Sequence, residues 1–246
     1  MEYLDQSRRI RFPDPNTATP LGIVAQGGNL SPGVVLSAYE QGLFPWYEED
    51  PILWFSPDPR FVLFLEEFHF GRRLARTIRN GGWGITFDHA FDEVIGACRE
   101  PRRYSGGTWI TAEMETGYRE LHTLGRAHSV EVWRESRLAG GLYGLAVGGA
   151  FSGESMFSRE RDASKIALVA LAGILDHSGV PFLDCQSYTT HMAAFGAREI
   201  PRTLFLELLG PRIQAGDVFP ACWRDLEGRE MLQRGVELSN ESRCRR

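Results

Sequence analysis

The chain has 246 residues, enough for one large domain or for a small domain joined to a medium one. Its composition, 43% hydrophobic and 24% charged, is that of a globular protein, and no stretch reaches the roughly 18 uninterrupted apolar residues of a membrane span. A net charge of −5 argues against general coating of nucleic acid but leaves room for a local basic patch.

Met1 to Pro20 carries charges and prolines where a signal peptide needs an apolar run, so the expected location is the cytoplasm. Cys98, Cys185, Cys222 and Cys244 are far apart and form no CxxC pair, which encodes neither a zinc site nor a disulfide framework.

Up to about residue 60 the prolines are dense and leave room only for short elements. Ser31-Pro32 starts a helix, Ser31 as N-cap and Pro32 in its first turn, which runs to Tyr39 or Glu40 and stops near Gly42. The aromatic stretches Phe44 to Tyr47 and Ile52 to Phe55 are short and extended. After Arg60 strands and helices alternate. Phe61 to Leu65 is a strand, and Arg72 to Asn80 a helix that sets Arg72, Arg76 and Arg79 along one face. Phe87 to Cys98 is helical with Asp88 as N-cap, and Thr111 to Leu124 is helical with Gly125 past its end. Val130 to Trp133 and Leu138 to Val147 form a hairpin about Glu135-Ser136, and Gly148-Gly149 turns the chain into a strand from Ala150 to Met156. Ala163 to Asp176, capped by Asp162, is apolar nearly all round and predicts a helix buried on a sheet. Val180 to Cys185 is the next strand, so residues 150–185 form a βαβ crossover with two parallel strands. The tail Ser242 to Arg246 is expected to be disordered. The fold class is α+β, divided into a small module over residues 1–60 and a larger domain with a mixed sheet over 61–246.

Ligands of α/β sheets gather at the carboxyl ends of parallel strands, which singles out Asp184 and Gln186, on one face by alternation, and Glu154 on the neighbouring strand. Two carboxylates in one site would favour a bound cation or a raised pKa. The alternative is two acids satisfied separately by Arg159, Arg161 or backbone donors. Cys185 with His191 is a thiol–base alternative that alternation disfavours. The arginines at 72, 76 and 79 meet without intervening acids and are candidate phosphate contacts.

The ordered motifs Phe44-Pro45-Trp46, Trp54-Phe55-Ser56-Pro57-Asp58-Pro59-Arg60, Gly107-Thr108-Trp109-Ile110, His128 to Trp133, Gly153-Glu154-Ser155-Met156-Phe157-Ser158-Arg159, Ala163-Ser164-Lys165 and Asp184-Cys185-Gln186 resemble the leucyl/phenylalanyl-tRNA–protein transferase family. The resemblance continues through His191 and Phe195-Gly196-Ala197 to Ile200-Pro201-Arg202; Ser187 to Thr190 and the tail after Gly210 depart from it. It implies an acyl-CoA N-acyltransferase-like fold for the larger domain and transfer of Leu or Phe, with Met a further option, from aminoacyl-tRNA to the α-amine of proteins beginning with Arg or Lys, marking them for degradation. It implies Asp184 and Gln186 orienting the amine, Asp184 assisting proton removal, and Glu154 holding the cationic N-terminus or the ribose hydroxyls. Trp46, Trp109, Leu142, Phe151 and Leu171 would surround the aminoacyl group and terminal adenine, and Arg72, Arg76 and Arg79 the tRNA backbone. No cofactor or metal is needed because the ester is already activated, and a monomer is expected. The rival readings are an acyl-CoA N-acyltransferase, disfavoured because Phe157 to Arg161 lacks glycine, and a non-catalytic adaptor for cationic N-termini.

Overall fold

A computed structural model describes residues 9–47, 49–100 and 110–245. The proline-rich start folds into short pieces. Strands β1 (Ile23–Gln26), β2 (Phe44–Pro45) and β3 (Leu53–Phe55) form an antiparallel sheet in the order β1-β3-β2. Helix α1 (Pro32–Glu40) lies between β1 and β2 in the chain and begins with Pro32, as its sequence predicts. Ser31 occupies the N-cap position without a side-chain cap bond; its own N–H donates to Asn29 Oδ1 at 3.0 Å.

The larger sheet contains β4 (Arg60–Phe64), β5 (Gly84–Phe87), β6 (Ala127–Arg134), β7 (Arg137–Val147), β8 (Ala150–Ser158), β9 (Phe182–Asp184) and β10 (Arg198–Ile200). Their order is β10-β4-β9-β8-β7-β6-β5. Glu135 and Ser136 both take positive φ, 46° and 65°, the geometry that a two-residue hairpin between twisted strands requires. Every neighbouring pair is antiparallel except β8–β9, where Phe151 faces Leu183 and Ser152 faces Asp184. The crossover between these two strands is α5 (Ala163–His177), buried on nearly every side from Ile166 to Leu175. One face of the sheet packs against α5, α2 (Arg72–Asn80) and α8 (Gly228–Cys244). The other packs against α1, α3 (Phe91–Arg99) and α4 (Ala112–Thr123), so the N-terminal module shares a continuous core with the sheet. The short helix α6 (Thr190–Ala193) follows β9, and α7 (Arg202–Gln214) closes a third apolar cluster through Phe205 and Leu209.

Three local expectations are overturned. Phe87 to Cys98 is not one helix: β5 ends at Phe87 and α3 begins at Phe91. Asp88 between them, at φ 60°, does not cap α3; its Oδ1 accepts the Ser129 N–H at 2.8 Å and its Oδ2 lies 2.7 Å from His128 Nδ1. Asp162 precedes α5 in the left-handed region without capping it and pairs with Lys165 at 2.6 Å. The tail is helical as far as Cys244. The inward face of α8 begins with Gly228, Met231 and Leu232 and continues with Gly235, Ser239 and Ser242, small residues that carry no apolar signal to the chain's end. The Ser242 hydroxyl donates to the Glu66 carbonyl at 2.7 Å, and Ser239 Oγ accepts the Phe70 N–H at 3.1 Å.

Helices α5 and α8 touch at their glycines: a Cβ on Gly235 would lie 1.9 Å from the Val169 carbonyl oxygen, and one on Gly173 1.9 Å from that of Met231. Gly235→Ala is therefore expected to destabilise the fold by about 1–3 kcal/mol. Denaturant unfolding reads this directly; an unchanged midpoint would show that α8 contributes nothing to the core.

Candidate active site

The parallel pair β8–β9 is short. Past Ser152 and Asp184 the strands part: β9 ends, the chain turns away through Gln186 at φ 62°, and β8 continues to Ser158 alongside β7. A cavity of about 1190 Å³ opens there, lined by Leu142 and Tyr143 of β7, Gly153 to Ser158 of β8, Leu168 and Leu171 of α5, and Cys185 and His191 beyond β9. It lies where an α/β sheet with a parallel pair is expected to take a ligand.

Glu154 enters this space through a β-bulge. Tyr143 faces Ser155 and Gly144 faces Gly153, so Glu154 is the extra residue of β8. A bulge re-aims a side chain that regular alternation would direct elsewhere. The Tyr39 hydroxyl oxygen lies 2.7 Å from Glu154 Oε1 and that of Tyr118 2.9 Å from Oε2, while the two phenol oxygens are 2.8 Å apart. Gln186 Nε2 donates to Oε1 at 3.0 Å. Burial pushes the Glu154 carboxyl up to about 7 and the Asp184 charge adds to this, against the lowering effect of the hydrogen bonds from Tyr39, Tyr118 and Gln186.

Asp184 is not an open carboxylate. Arg60 Nε donates to its Oδ1 at 2.8 Å and Arg60 Nη2 to its Oδ2 at 2.7 Å, with side chains 1% and 3% exposed. The Ser152 hydroxyl (2.9 Å) and the Gln186 backbone N–H (3.0 Å) complete four donors. The two acids therefore meet at one site, linked by Gln186, but with unlike roles. Asp184 is neutralised by Arg60, a partner not anticipated from the sequence, and Glu154 sits among neutral groups. Arg159 pairs instead with Glu100 and Arg161 with Asp162.

The remaining expected residues divide. Leu142 and Leu171 form part of the cavity wall. Phe151 does not: it is fully buried against Phe219 and Trp223. Trp46 is 45% exposed on the N-terminal module beside Phe55, outside the cavity wall. Trp109 lies outside the described residues. Arg72, Arg76 and Arg79 are exposed on α2, joined by Arg73, while Leu74 packs inward; none of the four forms an ion pair among the described residues. Burial pushes the Cys185 thiol well up, with the Asp184 charge adding, which leaves a thiol–base pair with His191 without a thiolate at neutral pH. Tyr39, Tyr118 and Ser152 do not stand out in the sequence because each occupies a position whose period reads as core.

The sequence model of the leucyl/phenylalanyl-tRNA protein transferase family matches residues 62–210, and that of the family's N-terminal domain residues 28–58. The leucyl/phenylalanyl-tRNA–protein transferase of Chromohalobacter salexigens is 52% identical over 212 residues, covering 85% of this chain and 83% of that protein. That of Stutzerimonas stutzeri is 50% identical over 218 residues (87% and 96%), and that of Nitratidesulfovibrio vulgaris strain DP4 54% over 209 residues (84% and 89%). A crystal structure of a functionally unknown conserved protein from Staphylococcus epidermidis superposes with a TM-score of 0.38 at 9% identity over 58% of this chain and 57% of that one, too distant a likeness to bear on the fold.

Two outcomes follow from the carboxyl environments. Native Glu154 keeps a proton between about pH 4.5 and 7 that the unfolded chain releases, so its contribution to stability is complete below pH 4.5 and is lost as pH rises to about 7. Glu154→Gln should remove roughly 3 kcal/mol of that pH dependence, read by unfolding at both ends of the window; identical slopes would contradict the assignment. Asp184→Ala, which on the sequence alone should lower activity without unfolding, strands the Arg60 charge and should destabilise by about 3–5 kcal/mol, with a smaller loss for Asp184→Asn. Calorimetry decides between the two expectations.

Proposed function

The chain belongs to the leucyl/phenylalanyl-tRNA protein transferase family, and on that premise we propose how its cavity moves an aminoacyl group from tRNA onto a protein. The enzyme is an aminoacyltransferase whose donor is a leucyl- or phenylalanyl-tRNA. The acceptor is the α-amine of a protein beginning with Arg or Lys, and the product is a new peptide bond that marks the protein for degradation. The observation that carries this reading is Glu154, hydrogen-bonded to Gln186, in the wall of a cavity that is apolar at Leu142, Leu168 and Leu171. Charged or polar groups meet the amine, and an apolar chamber takes the aminoacyl side chain.

The ester is already activated, and the amine, with a pKa of about 7.7–8.0, must first lose its proton. Holding amine and ester together supplies up to about 7–11 kcal/mol in favourable cases. Gln186 orients the amine from the edge of the cavity. Asp184 acts through Gln186, whose backbone N–H it holds, rather than as a proton acceptor, because its four lone-pair directions are occupied. Leu142 and Leu171 admit Leu or Phe and crowd a side chain branched at Cβ. Trp46, together with Trp109, takes the terminal adenine by stacking, and the exposed arginines of α2 follow the tRNA backbone. The short parallel pair with a ligand between its parted ends supports an N-acyltransferase-like reading of the larger domain. Among the described residues no helix is long and apolar enough to cross a membrane. Aminoacyl-tRNA is a cytoplasmic substrate, which supports a cytoplasmic location.

Mixing the protein with Phe-tRNA, acetyl-CoA and a peptide beginning with Arg, then weighing the peptide, separates the possibilities. A gain of one phenylalanine is expected; an acetyl gain or no change would remove the transferase reading. Leu171→Trp should raise KM about 10-fold or more for Phe-tRNA and less for Leu-tRNA, since a cavity contact of this size is worth about 1–3 kcal/mol. Replacing Arg76 and Arg79 with Ala should flatten the salt dependence of tRNA binding by roughly 0.7–0.9 in slope for each phosphate no longer neutralised; an unchanged slope would place the tRNA elsewhere.

A further inference from the structure

The hydroxyl oxygens of Tyr39 and Tyr118 and the two oxygens of the Glu154 carboxyl define a ring closed by three contacts: 2.7 Å from Tyr39 to Oε1, 2.9 Å from Tyr118 to Oε2, and 2.8 Å between the phenols. Each of these is a hydrogen-bond distance and each needs one proton. A phenol brings one proton, so an ionised carboxylate leaves the ring with two protons for three contacts. Whichever pair is served, two lone pairs then face each other across the third. A protonated carboxyl supplies the missing proton: Glu154 donates to Tyr118, Tyr118 to Tyr39 and Tyr39 back to Glu154.

We propose that Glu154 stands in the resting enzyme as a neutral carboxylic acid closing this ring, and that it delivers its proton to the ribose oxygen leaving the aminoacyl-tRNA ester. The proposal rests on the transferase reading above and changes the role of Glu154 within it, from an anion that holds a cationic N-terminus to an acid. The surroundings suit the neutral form. Tyr39 and Tyr118 have their own pKa values raised by burial, and the Tyr143 hydroxyl is buried without a hydrogen-bond partner among the described residues. The nearby anion, Asp184, disfavours a second charge, and the cation Arg60 is committed to Asp184. Gln186 is neutral and donates to Oε1.

The reaction balances without another reactant. The neutral α-amine attacks the ester carbonyl carbon, the C–N bond forms and the C–O bond to the ribose breaks with its electron pair on oxygen. Glu154 protonates that oxygen, and the surplus proton of the acylated nitrogen returns to the Glu154 carboxylate. The ring serves this transfer. A concerted shift of its three protons moves the acidic proton from one carboxyl oxygen to the other without creating an ion.

Glu154→Gln is the informative variant, because an amide still offers one donor and one acceptor to the two tyrosines but has no transferable proton. On Phe-adenosine, an oxygen ester, its kcat should fall about 10²–10⁴-fold with KM for an Arg-peptide unchanged. On the matching donor with sulfur in place of the 3′ oxygen, which leaves as a thiolate needing no proton, its rate should come within a few-fold of wild type. Equal losses on both donors, or a raised peptide KM with kcat intact, would overturn the acid role. Difference infrared spectra of the wild type against the variant test the resting state independently, even if the variant folds poorly. The carbonyl stretch of a protonated carboxyl should be present at pH 6, and its absence would overturn the ring. No transfer by the wild type from the oxygen ester would instead remove the transferase reading, and this proposal with it.

Discussion

A guanidinium with no access to water holds this molecule's two halves and its reactive strand end in one place. Arg60 faces the Phe44 and Phe205 rings at 4.8 and 4.4 Å and donates to the Gly42 carbonyl at 3.2 Å, as well as forming its bidentate pair with Asp184. One side chain thus touches the N-terminal module, α7 and the end of β9. Removing both charges from water carries a large desolvation cost, which is offset only when geometry is good and the other lone pairs are satisfied. Both conditions are met here, since Ser152 and the Gln186 N–H occupy what Arg60 leaves of the carboxylate. Such a pair is weak evidence for stability and better evidence for position: it determines where β9 stops and how Gln186 leaves it.

From that fixed point the site follows. β8 and β9 are parallel over two residue pairs and then separate, because the chain at Gln186 adopts a left-handed conformation that cannot continue a strand. The gap becomes the cavity. On its other side the bulge at Glu154 aims a carboxyl between α1 and α4, where two tyrosines and an amide meet it. Two acids on neighbouring strands thereby acquire opposite characters. One is charged because a cation is locked to it; the other is pushed towards neutrality because it is buried without one.

Much of this arrangement is legible in the residues. The apolar run from Ala163 predicts the buried crossover helix, and with the flanking strands it predicts the parallel pair and the convergence of Glu154 with Asp184 and Gln186. Arg60 lies within a family motif, yet nothing in the sequence assigns it a role, since a pairing across 124 residues leaves no local period. Tyr39 and Tyr118 read as core positions of amphipathic helices, which they also are; their hydroxyls meet only when α1 and α4 are brought together on the sheet. The C-terminal helix is hidden because beyond Met231 and Leu232 its fully buried positions are Gly235, Ser239 and Ser242, which serve close approach and add no apolar bulk. Phe151 is absent from the cavity wall because its ring is packed against Phe219 and Trp223, within the same core cluster that holds Leu142 and Leu171.

The claim that the buried pair serves position can be separated from stability by replacing both partners together, Arg60→Met with Asp184→Leu, and measuring the rate of transfer from Phe-tRNA alongside the unfolding free energy. Exchange of both charges for apolar groups should leave stability within about 1–2 kcal/mol of wild type, while transfer falls about 10-fold or more because Gln186 has lost its anchor. A folded double variant that transfers at the wild-type rate would contradict the positioning role of the pair.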